Sequence, residues 1–228
     1  MQIFVGYDSR EDIAFQVCEY SLRKNTQVKL DIAPLSQKSL REQGVYWREH
    51  DSKGSTEFTF TRFLVPCLTG YQGWALFCDC DFLWVDDVHK LFDLADEKYA
   101  VMCVQHDYQP TAPIKMDGQH QYQYPRKNWS SMILWNCGHP KNETLSPDIV
   151  NTAPGQYLHR FSWLDDNDIG IIDHKWNWLV GWYTSPADGY PSAIHYTEGG
   201  PWFENYTHVD YADEWIKYKN EIVPTRSN

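Results

Sequence analysis

The sequence has no apolar run approaching the roughly 20 residues that a membrane-spanning helix needs. Its opening, MQIFVGYDSRED, lacks a basic stretch followed by a long apolar one, which speaks against a signal peptide. Together these absences point to a cytoplasmic protein. None of the six cysteines forms a CxxC pair, so a structural zinc site is not expected. Most of them sit within apolar runs, where a reduced thiol acts as a small core hydrophobe. Positive charge is also scarce: 20 Lys and Arg face 31 Asp and Glu, a formal net charge of -11. That balance argues against nucleic acid or an anionic membrane surface as partner. A small anionic ligand would need a local cation, from bound metal or a few basic side chains. No internal repeat or low-complexity tract is visible.

What is present is apolar and aromatic material. The 228 residues are 42% hydrophobic and 16% aromatic, with 11 tryptophans, enough for one large core. We expect a single α/β domain over residues 1–228, with a first part over about 1–105 and a second over about 106–228. The segment Trp74 to Trp84, WALFCDCDFLW, is the most informative. A continuous apolar run is what a parallel strand covered on both faces looks like. In open α/β sheets ligands lie beyond the carboxyl ends of the strands, so Asp79 and Asp81 would face a crevice. Carboxylates suit hard divalent cations, and two of them leave positions free for phosphate oxygens. The structural alternative is that one Asp caps the following helix.

Around this segment the pattern alternates strand and helix. Gln2 to Val5 reads as a strand stopping at Gly6-Tyr7-Asp8, and a helix follows from about Arg10 to Leu22, with Ser9 and Asp12 fitting a capping box. Val28 to Ile32 reads as a strand, completing a βαβ opening. Ser36 to Ser55 reads as a loop and Thr56 to Leu68 as a helix. A short helix capped by Asp86 or Asp87 and a strand over Tyr99 to Val104 follow. His106 to Lys127 reads as a loop over a site, Trp129 to Trp135 as a strand, and Pro147 as the first turn of a helix that Pro154-Gly155 interrupts. Ser192 to Tyr196 is a last strand. From Asp210 a helix presents Tyr211, Trp215, Tyr218 and Ile222 on one stripe, for docking onto the core. His195 ends the last strand; if that strand lies near Asp79, an imidazole joins two carboxylates and shifts the preference from magnesium towards manganese. Gly199-Gly200-Pro201 makes a tight turn that lets backbone approach a ligand, and Trp202 could close over it.

Gly6-Tyr7-Asp8, the segment FTRFLVP from Phe60 to Pro66, Asp79-Cys80-Asp81, Trp176-Asn177, and His195 with Pro201-Trp202 occur in one order. That ordered set resembles family 8 glycosyltransferases and their small bacterial and viral relatives of the GT-A fold, across most of the chain. The resemblance implies one Rossmann-like, mostly parallel sheet flanked by helices. Residues 1–105 would bind a nucleotide-sugar donor, most often UDP-linked, and 106–228 would supply the side facing a glycan or other hydroxyl acceptor. Mn2+, or Mg2+, would be held by Asp79, Asp81 and His195. Phe4, Gly6, Tyr7, Asp8, Arg62, Asp79, Cys80 and Gly200 would line the donor, with Tyr7 stacked on the base, Asp8 accepting a hydrogen bond from it and Arg62 ordering the site. The structural alternatives are that Tyr7 closes the strand end, Asp8 begins the helix and Arg62 pairs with Glu57. Where the family commonly reads HxxGxxKPW, this chain reads HYTEGGPW, one residue shorter and without the lysine that contacts the diphosphate. Arg62, Lys175, Arg126 and Lys127 are the candidate replacements.

A diphosphate leaving a sugar carbon develops negative charge that a divalent ion stabilises, while the sugar becomes oxocarbenium-like. An inverting enzyme needs a carboxylate base, for which Asp165, Asp166 and Asp168 are candidates; family 8 members retain configuration. Tyr122, Tyr124 and Trp129 are the expected acceptor contacts. The competing reading is a non-catalytic carbohydrate-binding protein with a structural ion, using surface aromatics among Trp47, Trp129, Trp135, Trp163, Trp176, Trp178, Trp182 and Trp202, most of which would be core.

Overall fold

The computed structural model describes residues 1–49, 56–107 and 126–223. In chain order the elements are β1 (Gln2–Gly6), α1 (Asp12–Lys24), β2 (Asp31–Leu35), α2 (Gln37–Glu42), α3 (Val65–Leu68), β3 (Trp74–Cys78), β4 (Phe82–Trp84), α4 (His89–Phe92) and β5 (Val101–Cys103). They continue with β6 (Met132–Asn136), α5 (Pro147–Thr152), α6 (Gly155–His159), β7 (Ile169–Ile171), β8 (Trp178–Leu179), β9 (Ala193–His195) and α7 (Ala212–Ile222). Six strands form the central sheet in the order β2-β1-β3-β6-β5-β7, and β4-β9-β8 form a smaller one. The central sheet is mostly parallel; β6 is the exception, running antiparallel to both β3 and β5. Parallel strands buried on both faces read as unbroken apolar runs. That is what WALFC of β3 shows, while β6, MILWN, is buried throughout although antiparallel.

Four expected elements differ in the structure. The first helical turn is capped by Asp8, not Ser9: its Oδ1 accepts from the Arg10 N–H at 3.0 Å, while Ser9 Oγ donates to Glu57 Oε1 at 2.6 Å. The second strand begins three residues late. Thr26 Oγ1 accepts from the Val28 N–H at 3.2 Å, turning the chain there, and Pro34 is tolerated because β2 lies at a sheet edge. No continuous helix spans 56–68. Pro66 lacks the N–H that would bond back to Arg62, so a 3-10 turn over Thr61–Leu64 precedes the short α3. Residues 36–55, read as loop, contain α2.

A large core fills the space between the central sheet and its helices. A second, smaller one joins α1, β4, β9 and α7 through Val17, Leu83, Ile194, Tyr196, Trp215 and Tyr218. The stripe on the last helix therefore docks as its spacing implied. Its edge is tied to α1 by Tyr20 Oη and Lys24 Nζ, which donate to Glu221 at 2.8 and 2.7 Å, and Asn25 Nδ2 donates to the Tyr218 hydroxyl at 3.0 Å. All six cysteines are unpaired, and no described helix is long and apolar enough to cross a membrane. Trp215 is 1% exposed at the centre of the smaller core. Trp215→Ala is expected to lower stability by about 3–5 kcal/mol, read as a shifted midpoint in urea unfolding.

Candidate metal centre

The acids lie in the step between the two sheets. β3 ends at Cys78, the chain turns through Asp79-Cys80-Asp81, and β4 begins at Phe82 in the other sheet. β4 pairs antiparallel with β9, setting Phe82 opposite His195, and the Tyr196 N–H extends the ladder to the Asp81 carbonyl at 3.1 Å. That register puts His195 beside Asp81. Its Nε2 is 3.4 Å from Asp81 Oδ1, and its ring stacks on Phe82 at 4.4 Å. Asp79, Asp81 and His195 each present one ligand atom, all within 4.8 Å of one another. Ligands about 2.1 Å from a common ion stand roughly 3–4.2 Å apart, so a small side-chain adjustment would bring this donor set onto a divalent cation.

His195 is oriented by buried neighbours. Asn177 Oδ1 accepts from its Nδ1–H at 2.8 Å, which leaves the Nε2 lone pair towards Asp81. Asn177 Nδ2 donates to Ser131 Oγ at 2.9 Å, and Ser131 Oγ donates to the Asn128 carbonyl at 2.7 Å. Ser131 also accepts the Asp79 N–H on its carbonyl at 2.9 Å. One serine therefore ties the segment carrying Asp79 to the asparagine that holds His195.

Charge at the site is balanced by Arg62. Only 5% exposed, it places Nη1 2.9 Å from Asp79 Oδ1, donates to the Ser130 carbonyl at 2.7 Å, and lies over the Phe77 and Phe58 rings. It is thus an internal counter-ion, not a surface partner of Glu57. Glu11, which no sequence motif marks, faces the same region. Burial, and then the charges of Asp81 and Asp8, push its carboxyl up to about 8. Burial likewise pushes the Cys80 thiol up, with help from Glu11 and Asp81.

The remaining expected residues divide. Asp8 is fully buried, and its two oxygens accept from Arg10 N, Nε and Nη2 and from Glu57 N, between 2.7 and 3.1 Å. Its acceptor capacity is thereby used inside the protein, correcting the expectation that it receives a base N–H. Phe4 is a core residue level with Phe77. Tyr7 is half-buried, its hydroxyl donating to Asp12 at 2.9 Å. A Cβ at Gly6 would lie 2.5 Å from the Phe58 ring, and one at Gly200 would lie 1.9 Å from the Trp202 ring. Trp202 therefore folds over the position preceding Pro201 and leaves no room there for a side chain.

Asp165, Asp166 and Asp168 do not join the site, which corrects their reading as catalytic bases. The Asp168 carbonyl accepts from Ala100 N, and the Ala100 carbonyl from Asn136 N, a residue level with Trp74. Trp74 is five residues before Asp79, so the separation is about 17 Å along the strands and about 14 Å across three of them. There Asp165 and Asp168 bind Lys141 at 2.8 and 2.5 Å, and Asp166 pairs with Arg126. Trp129 donates its indole N–H to the His106 carbonyl at 3.0 Å; Tyr122 and Tyr124 lie outside the described residues.

No protein-family model matches the chain. It is 54% identical over 223 residues to Protein CDI of Arabidopsis thaliana, an alignment covering 96% of this chain and 86% of that protein. The chain belongs to the family of Protein CDI. Among solved structures it is similar to the WbbM bifunctional glycosyltransferase, with TM-score 0.69 and 15% identity over 96% of this chain and 49% of that one. It is also similar to the glycosyltransferase GlyE of Streptococcus pneumoniae (0.64, 14%, 96% and 59%) and to LgtC (0.61, 12%, 97% and 96%). The chain spans about half the length of WbbM and 59% of GlyE. The fold is that of the GT-A glycosyltransferases.

An unfolded glutamate titrates near 4.5, well below the value of about 8 for folded Glu11. Through that window the folded chain keeps a proton the unfolded chain has released, so this group makes stability fall as pH rises. Glu11→Gln should therefore gain on the parent progressively from about pH 5 to pH 8 in urea unfolding of the metal-free protein. A difference constant across the window would contradict the half-buried, protonated carboxyl.

Proposed function

We propose that this chain is a metal-dependent glycosyltransferase that moves a sugar from a nucleotide-diphosphate donor, UDP-linked, to a hydroxyl of a glycan acceptor. The observation that carries the reading is the convergence of Asp79, Asp81 and His195 within 4.8 Å beyond the end of β3 in a GT-A fold. LgtC, a galactosyltransferase of the same fold, is known in complex with donor and acceptor sugar analogues, which supports a crevice of this kind as a site for two sugars.

When bound, a divalent cation, Mn2+ in preference to Mg2+ because one ligand is nitrogen, supplies Lewis-acid neutralisation of a departing diphosphate. Asp79, Asp81 and the Nε2 lone pair of His195 would hold it. Arg62 holds Asp79 in place through a buried pair. The glycine turn before Trp202 takes the position of the family's lysine, and Arg62 is committed to Asp79 and the Ser130 carbonyl, so neutralisation of the diphosphate would rest on the bound cation. Transfer with retention agrees with the family 8 resemblance and with the displacement of Asp165, Asp166 and Asp168 to the far edge of the sheet.

Isothermal titration decides the matter. The parent is expected to bind UDP only with Mn2+ present, and Asp81→Asn to lose that binding by more than about 100-fold, beyond what removing an outer partner of a ligand does. The variant should unfold at the same temperature or higher, because two crowded carboxylates repel. Equal UDP affinity in variant and parent would remove the basis for the proposal.

A further inference from the structure

At the end of the central sheet away from the acids, β3 and β6 build a cavity. Their register sets Trp74 directly opposite Asn136, and such a cross-strand pair projects from one face. Trp74 precedes Asp79 by five residues, about 17 Å along the strand. The cavity measures about 220 Å3 and is edged by Gly73, Trp74, Glu97, Asn136, Gly138 and His139. Three interlocked side chains fix its wall. The Trp74 indole N–H donates to Glu97 Oε1 at 2.8 Å. Asn136 Nδ2 donates to Glu97 Oε2 at 3.3 Å, to the Glu97 carbonyl at 3.4 Å and to the Tyr99 carbonyl at 3.1 Å. Three acceptors on one side settle which way the amide points. Asn136 is only 4% exposed, yet among the described residues nothing donates to its Oδ1. The polar oxygens of so buried a residue are ordinarily paired; this one is left to whatever enters the cavity.

We propose that this cavity is a second carbohydrate site, which takes one neutral pyranose unit of a glycan apart from the metal centre. Its volume is below the roughly 300–1,000 Å3 of pockets for drug-sized ligands, which suits a single ring. Acceptors and a donor lie side by side. Glu97 Oε2 and Asn136 Oδ1 accept, while His139, whose Nδ1 accepts from the Lys141 N–H at 3.3 Å, carries its proton on Nε2 as a donor. A hydroxyl both donates and accepts, whereas an ammonium only donates, so the lining matches a polyol better than an amine. The Glu97 carboxylate repels an anion, and the Trp74 indole supplies a flat apolar wall for the C–H face of a sugar ring. Glycines keep the edge of the cavity free of side chains. Gly73 sits at φ +65°, and a Cβ on Gly138 would stand 3.8 Å from the Gly73 nitrogen and 4.0 Å from Asn136 Oδ1. Such a site holds a glycan at a point remote from the acids, so that recognition of the glycan and transfer to it are separable.

The test needs no metal. Methyl β-D-glucopyranoside, methyl β-D-galactopyranoside and methyl α-D-mannopyranoside are titrated into the 15N-labelled, metal-free protein, and the Trp74 indole N–H signal, identified by its loss in Trp74→Phe, is followed. At least one glycoside is expected to shift that signal to saturation. Glu97→Gln, at an exposed position and of unchanged size, should weaken that glycoside roughly tenfold, as loss of a charged acceptor does. Gly138→Ala, whose methyl meets only ordinary contacts, should weaken it by a similar factor by narrowing the space beside the amide. Asp81→Asn should bind it as the parent does. Failure of all three glycosides to move the Trp74 signal would overturn the proposal, as would parental affinity in both Glu97→Gln and Gly138→Ala. Loss of the shift in Asp81→Asn, or a shift produced equally by methylammonium chloride, would also overturn it. UDP binding with Mn2+ is read by the titration described above, so failure of either proposal leaves the other standing.

Discussion

The pairing of β4 with β9 is the constraint on which the site depends. β4 is only three residues long and begins immediately after Asp81, so its antiparallel register with β9 determines which residue of the C-terminal half stands beside the acids. With Phe82 opposite His195 the imidazole and the carboxylates converge. A slip of one residue would turn His195 to the other face of the small sheet. The register is held by burial on both sides: Leu83 and Ile194 belong to the smaller core with Trp215, while Phe82 and Trp84 belong to the larger. The last helix, remote from the acids, thus supports their geometry through the strand it covers.

The acidic turn is tolerable because its charges are answered inside the protein. Asp79 has Arg62, Asp8 has Arg10, and Glu11 retains a proton near neutral pH. Two carboxylates so near each other raise the free energy of the metal-free state, and a bound dication would relieve that strain. The Arg62 guanidinium lies over the Phe77 and Phe58 rings, where low polarity makes its pairing with Asp79 stronger than it would be at the surface. Around this pair Ser131, Asn177 and His195 form a hydrogen-bonded series in which no donor faces a donor.

Much of the fold could be read from periodicity. The βαβ opening, the apolar run of β3, the helix started by Pro147 and the docking stripe of α7 are local patterns with local causes. The readings that failed have local causes of another kind. Thr26 turns the chain ahead of β2, and Pro66 withholds the backbone donor that a continuous helix would need. Asp8 outcompetes Ser9 as cap because its two oxygens also satisfy the Arg10 side chain. At the site, Asp79 and Asp81 were legible because both sit at the end of one apolar run. Glu11 and Ser131 were not, since each is a single polar residue whose meaning depends on what faces it.

Asp165, Asp166 and Asp168 mark the boundary between the two kinds of knowledge. As a run of acids in the second half of the chain they look like catalytic material, and only the pairing of β7 with β5 shows that they begin their strand at the opposite edge from Asp79. Sequence alone determined most of the elements, many core-forming residues and the acidic pair with its chemistry, because these follow from neighbours along the chain. Tertiary structure decided which distant side chains meet: His195 with Asp81, Arg62 with Asp79, Asn177 with His195. Strand order and register are properties of the whole sheet, and whether a polar residue works at the metal centre or elsewhere depends on which end of that sheet it reaches.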